Sequence, residues 1–212
     1  MADNIIDVSE APIEEEYNGT HFSAVYNRFL NKITDDMYME LTPEDTIRDL
    51  QNLLIDAIPG FEFPKVVIDD YVLETKVINE ADCQPGDFIL AVLWKELPED
   101  GIETLPDVRV EYSRFKAKLT TEEINILALL MKVGWIQRQV ASVENTRMKY
   151  SGSDFKMTSQ ANHLAKLLSL LSEAQREAHH MQRLYKRRKV SETGEITSNW
   201  SSIMEKHVRE KL

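Results

Sequence analysis

Thiols are nearly missing from this sequence: Cys83 stands alone. That excludes an internal disulfide and a cysteine-rich zinc site, and it fits a reducing compartment. Apolar runs stay short. None reaches the roughly 20 residues that a membrane-spanning helix needs, and the first residues lack the charged-then-apolar order of a secretory signal. There is no Gly-rich phosphate loop, no nucleophile elbow and no histidine pair with metal spacing. His179 and His180 are adjacent, so on a helix they point about 100° apart. His163 reads as a polar residue near a helix start. Cys83 lies in NEADCQPGD, where carboxylates disfavour a thiolate. No carboxylate pair has an apolar setting of its own. The expectation is a protein that is not an enzyme, with no catalytic, cofactor-binding or metal-ligating residues and no cofactor. Positive charge is also short: Lys+Arg 25 against Asp+Glu 36 gives a formal net charge of -11. A surface of that sign does not hold nucleic acid as a whole, so any DNA contact must be local.

What remains is a chain of 212 residues, 42% hydrophobic and 29% charged, ordinary for a globular protein with a real core. Its longest organised stretch is Ser159 to Lys189. There Leu164, Leu167, Leu171, Ala174, Ala178, Met181 and Tyr185 recur at steps of three and four, the spacing of a narrow seam on one helix face. Such a helix would run roughly 45 Å, so part of it is expected to leave its own domain. The leucine-rich first half is the part suited to the chain's own core. The second half ends in Arg183, Lys186, Arg187, Arg188 and Lys189, which reads either as a solvated helix end or as a docking arm for a negatively charged partner.

Five segments follow from the remaining patterns. Residues 1–19 form an acidic arm with Ile5, Ile6 and Val8 as possible anchors. Residues 20–64 predict a helical hairpin. Its first helix starts at Thr20 with Phe22, Val25, Tyr26, Phe29, Leu30 and Ile33 on one face; its second has Thr42 as N-cap and Pro43 at the first position. Residues 65–115 carry strand-like runs: Val66 to Ile68, Tyr71 to Val77, FILAVLWKEL and VRVEYSRF. FILAVLW could instead be a buried helical turn, because a short apolar run does not reveal its period, and the alternation in VRVEY suggests one wet face. Residues 116–189 hold a core helix opened by the Thr120/Glu123 capping box, then the long helix. Residues 190–212 combine a polar linker with a tail in which Trp200, Ile203, Met204 and Val208 share a helix face.

Three stretches, FLNKITDDMYMELTPEDTIRDLQNLLIDAIPGFEFP, LTTEEINILALLMKVGWIQRQV and SGSDFKMTSQANHLAKLL, resemble in order and wording the head-completion proteins of tailed bacteriophages, in particular the head-tail connector (adaptor or neck) group. The likeness covers most of residues 21 to 189 and leaves out both tails and the strand from Val108 to Phe115. The residue patterns read as a mainly α fold with a small β insertion, a long C-terminal helix and extended terminal arms; the likeness implies a helical-bundle adaptor whose long helix or C-terminal arm docks to the portal. It further implies a homo-oligomeric ring, usually dodecameric, below the portal protein and next to neck or tail-completion proteins. Genomic DNA would be passing cargo only, and no membrane is involved. The location implied is the head-tail interface of a virion assembled in the host cytoplasm. Partner contacts are expected at Met181, Arg183, Tyr185, Lys186, Arg187, Arg188, Trp200, Ile203 and Met204. Two alternatives stand: another virion part, such as a stopper or tail-completion protein, and a small nucleic-acid-binding regulator using the RLYKRRK segment.

Overall fold

Helix α4 (Thr121–Lys149) is the element the body is built on, because its apolar side chains lie on all sides. Ile126, Leu127, Ala128, Leu129 and Met131 are fully or almost fully buried. The expected capping box opens it: Glu123 Oε2 accepts from Thr120 N at 2.7 Å, and Thr120 Oγ1 accepts from Glu123 N at 3.3 Å. The structure, a computed structural model, describes residues 19–33, 37–93, 106–149, 157–190 and 196–198. The acidic arm and the tail with Trp200, Ile203 and Met204 lie outside the described residues.

Helix α1 (Phe22–Leu30) buries Phe22, Val25, Tyr26 and Phe29, the face its spacing predicts. Thr20 has a different task from the one expected. The N-cap is His21, without a side-chain cap bond, while Thr20 Oγ1 accepts from Leu119 N at 2.7 Å and ties the chain's entry to the start of α4. A single turn, α2 (Met37–Glu40), precedes α3 (Pro43–Ala57). Thr42 caps α3 by accepting from Asp45 N at 3.2 Å, Pro43 sits in its first turn, and Glu44 and Asp45 complement the helix dipole. Thr42→Ala is expected to cost about 1 kcal/mol, read as a thermal midpoint lower by roughly 2–4 °C. An unchanged midpoint would mean that water satisfies this helix end equally well. Both α1 and α3 pack on α4, so the expected two-helix hairpin is replaced by two helices sharing α4 as their floor.

Strands β1 (Tyr71–Val72), β2 (Thr75–Asn79), β3 (Ile89–Leu93), β4 (Asp107–Glu111) and β5 (Arg114–Phe115) follow. They form an antiparallel sheet of order β2-β4-β3 and a separate β1-β5 pair, with a register shift between Ile89 and Ala91. Within FILAVLW, Ile89 to Leu93 is thus a strand. Val66 to Ile68 is not a strand, although Ile68 is buried in the core. In the turn between β2 and β3, Asp87 N donates to Gln84 O at 3.1 Å and Gly86 takes φ 102°, a conformation that suits glycine. Of the wet face expected for β4, Arg109 stays half-exposed and pairs with Glu44 of α3, whereas Glu111 is buried, and Gln51 of α3 donates to Glu111 Oε1 at 3.0 Å.

Helices dominate the fold, but the helical-bundle architecture is corrected by the way the strands enter the core. Phe22 of α1 stacks on Phe115 of β5 with ring centroids 4.6 Å apart, and Phe22 N donates to Ser113 O at 2.9 Å. His21 bridges to Arg114 as well. One cluster contains Phe22, Leu50, Phe61, Ile68, Phe115 and Leu127, so segments 20–64, 65–115 and 116–189 close a single core. The periodicity of α1 shows that one face is buried, whereas it carries no information on whether a helix or a strand covers that face.

Helix α5 (Met157–Arg187) runs antiparallel to α4, since Glu123 meets Tyr185 near one end and Lys132 meets Glu177 further along. All of its seam is used. Leu164, Ala174, Ala178 and Tyr185 are buried, and Leu167, Leu171 and Met181 are half-buried. The two halves nevertheless exchange the roles expected of them. Tyr185 and Met181 join the main core, whereas Leu164, Leu167 and Leu171 join Val133, Ile136, Val140 and Val143 in a second cluster made only of α4 and α5. The helix ends at Arg187, two residues short of the expected Lys189, and within the expected polar linker the described residues Ile196–Ser198 are strand. Strand β6 (Arg188–Val190) pairs antiparallel with β7 (Ile196–Ser198). Among the described residues no helix is long and apolar enough to cross a membrane.

Candidate interaction surfaces

The C-terminal end of α5 is held by an inner polar row. Tyr185 donates its hydroxyl to Glu123 Oε1 and accepts from Lys65 N at 3.3 Å. Gln182 Oε1 accepts from Glu62 N at 2.8 Å. Burial, and next the hydrogen bond to Glu123, hold the Tyr185 hydroxyl above its ordinary range. Tyr185 also packs edge-on to Phe61 at 5.5 Å. Its expected role as a partner contact is therefore corrected: at 3% exposure it is a core residue. It sits at a seam position, and a seam that reaches its own core has nothing left to offer a partner.

The outer row of the same helix end is basic. Arg183, Lys186 and Arg187 occupy one face at i, i+3 and i+4 and are exposed. Lys186 Nζ lies 3.8 Å over the Phe63 ring, and Lys65 Nζ lies 4.3 Å over Tyr185 while donating to Arg188 O at 2.8 Å. Arg188 is half-buried and paired with Glu122. Met181 is half-buried against the core. Of the expected contacts, then, Arg183, Lys186 and Arg187 are brought together on an open surface, Met181 and Arg188 are engaged within the chain, and Trp200, Ile203 and Met204 lie outside the described residues. Phe63 and Lys65 were not foreseen. The Phe-Pro-Lys run after a helix stop gave no periodic signal, and only their position beside α5 gives them a role.

Three other surfaces stand out. Leu168 and Leu170 are about half exposed and flank the seam on the leucine-rich half of α5. A shallow groove of about 460 Å³ lies between α3 and α4, with Leu53, Ala57, Leu130 and Val133 as apolar wall and Gly60, Gly134 and Ala141 as close neighbours. Arg138 closes one side of it, paired with Asp49 at 2.6 Å and Asp56 at 3.6 Å. On the sheet, Val77, Ile89, Val92 and Leu93 are exposed on the two outer strands, where unpaired edges normally carry charge.

Little of this is reactive chemistry. Partial burial, then the Asp87, Glu80 and Asp82 carboxylates, keep the Cys83 thiol above its ordinary pKa, against thiolate formation. Burial and the neighbouring Arg114 lower that of His21. Among the described residues no group of three or more His, Cys, Asp or Glu side chains is placed to hold a metal ion. Compared with protein-family models, curated proteins and solved structures, the chain matches none.

Proposed function

We propose that this chain is a structural subunit that acts by binding other protein chains, in the specific form of a tailed-phage head-tail connector subunit in a ring below the portal. The observation that carries the reading is the α4/α5 pair. Its far half has a seam of its own, and Leu168 and Leu170 remain exposed on either side of that seam. Leucines at such positions cost solubility unless another surface covers them. The exposed apolar residues of β2 and β3 add a second surface of the same kind. The net charge of -11 suits a ring wall past which DNA slides without sticking.

The nucleic-acid regulator reading has less support. Arg188 pairs with Glu122, and Arg183, Lys186 and Arg187 span a single helical turn with no base-reading element beside them among the described residues. The test is the mass of the purified chain by light scattering, alone and mixed with the portal protein of a candidate virion. A defined ring-sized complex is expected, and Leu168→Glu with Leu170→Glu should shrink it without lowering the thermal midpoint. A chain that ignores the portal and instead elutes with duplex DNA in a salt-sensitive way would sink the connector reading.

A further inference from the structure

The basic outer row at the end of α5 carries more positive charge than its surroundings neutralise. Among the described residues no carboxylate pairs with Arg183, Lys186 or Arg187, and Lys186 is held instead by the Phe63 ring. Favourable placement at a helix C-terminus accounts for cations there, but an aromatic ring under one of them is a separate feature. Phe63 is 36% exposed, and Val67 in the same segment is 69% exposed. The surface is thus cationic and apolar at once, in a chain that is acidic overall.

Residues 1–18 have the complementary composition. They contain Asp3, Asp7, Glu10, Glu14, Glu15 and Glu16, no Lys, Arg or His, and the apolar residues Ile5, Ile6 and Val8. Where this segment joins the body is fixed. Thr20 N donates to Ala117 O at 3.2 Å and Thr20 Oγ1 accepts from Leu119 N. Gly19 is pressed so closely on the Phe115 carbonyl that no side chain fits. Glu122, three residues after Leu119, is the partner of Arg188. The junction therefore lies within about 11 Å of main chain from the residue that holds the basic end of α5, and 18 residues reach up to roughly 60 Å when extended.

We infer that the surface formed by Arg183, Lys186, Arg187 and Phe63 is the docking site for the chain's own acidic segment 1–18. Its carboxylates face the cations, and Ile5, Ile6 and Val8 lie against Phe63 and Val67. Tethering raises the segment's effective concentration to about the millimolar range, so modest contacts suffice and the docked state is salt-sensitive. The inference is independent of the connector reading, since it concerns one chain alone.

A fluorescent peptide with the sequence of residues 1–18 is the probe, titrated with three full-length chains. These are the native chain, a neutralised chain (Asp7→Asn, Glu10→Gln, Glu14→Gln, Glu15→Gln, Glu16→Gln), and a reversed chain (Arg183→Glu, Lys186→Glu, Arg187→Glu). The neutralised chain, its own segment disarmed, should bind the peptide at least about 10-fold more tightly than the native chain at low salt. That difference should vanish near 1 M salt, and the reversed chain should not bind. Equal affinity for native and neutralised chains, no binding to the neutralised chain, or full binding by the reversed chain would each overturn the inference. So would a native mass that falls on charge reversal, because the segment would then be docking on a second copy. If the reversed chain misfolds, Arg187→Glu alone, at an exposed position, should still weaken peptide binding to the neutralised chain several-fold.

Discussion

Tyr185→Ala should lower the thermal midpoint by about 10 °C, the equivalent of roughly 3–5 kcal/mol in a chain of this size. Truncation empties the space beside Phe61 and removes the ring over which Lys65 lies. It also takes the hydroxyl away from Glu123, a carboxylate that is 1% exposed and that keeps only its capping contacts with Thr120. Tyr185→Phe separates the two contributions: the packing stays and the loss should be about 1–3 kcal/mol, the cost of an unanswered buried acceptor. A pH series gives a third reading. Folding raises the Tyr185 pKa above its ordinary 10.0, so the neutral hydroxyl stabilises the fold below that pH. The stabilisation is lost as pH rises beyond it. The decline should be shallower in the Phe variant, with Tyr26, whose hydroxyl is raised by burial and then by Glu111, and the raised Cys83 thiol still contributing. A midpoint unaffected by Tyr185→Ala would return this residue to the surface and reinstate it as a partner contact.

Phe22→Ala is the other large effect expected, again about 3–5 kcal/mol by calorimetry or denaturant titration. Phe22 is fully buried and touches Tyr26, Tyr71 and Phe115 at centroid distances of 6.1, 5.6 and 4.6 Å. A helix, a two-residue strand pair and the chain's entry to the body all meet on this one ring. Combining Phe22→Ala with Phe115→Ala should cost less than the sum of the two, because the second truncation enlarges a cavity already opened; the aromatic pair itself accounts for about 0.5–1.5 kcal/mol of that coupling. Strict additivity would mean that α1 does not depend on β5, and would restore a helical body to which the strands are merely attached.

Local signals were the legible ones. Thr42 before Pro43, and Thr120 three residues before Glu123, mark helix starts because capping is decided within one turn. The seam from Leu164 to Tyr185 was readable for the same reason, as was α4 from its all-round apolar surface. Long-range choices were hidden. Leucine content suggested that the first half of α5 meets the body, but Ala174 and Ala178 are the residues that let α5 approach α4 closely, so that Tyr185 reaches a glutamate 62 positions away. In VRVEY, Glu111 looked like a solvent-facing residue; Gln51, 60 positions distant, turns it inward. The basic row of the candidate surface could be read from RLYKRRK, yet which members remain open depended on Glu122, which takes Arg188.

The bonds that close the body join distant parts of the chain. Thr20 and Leu119 are 99 positions apart, and Glu62 and Gln182, like Lys65 and Tyr185, are 120 apart. Helix-rich proteins usually fold fast because most of their contacts are local, whereas here the decisive ones are not. On the ribosome, α1, α3 and the strands emerge well before the residues that seal the space beside Phe61. The order of synthesis therefore leaves this core open until nearly the whole described chain has been made, and the exposed apolar edges of β2 and β3 wait with it.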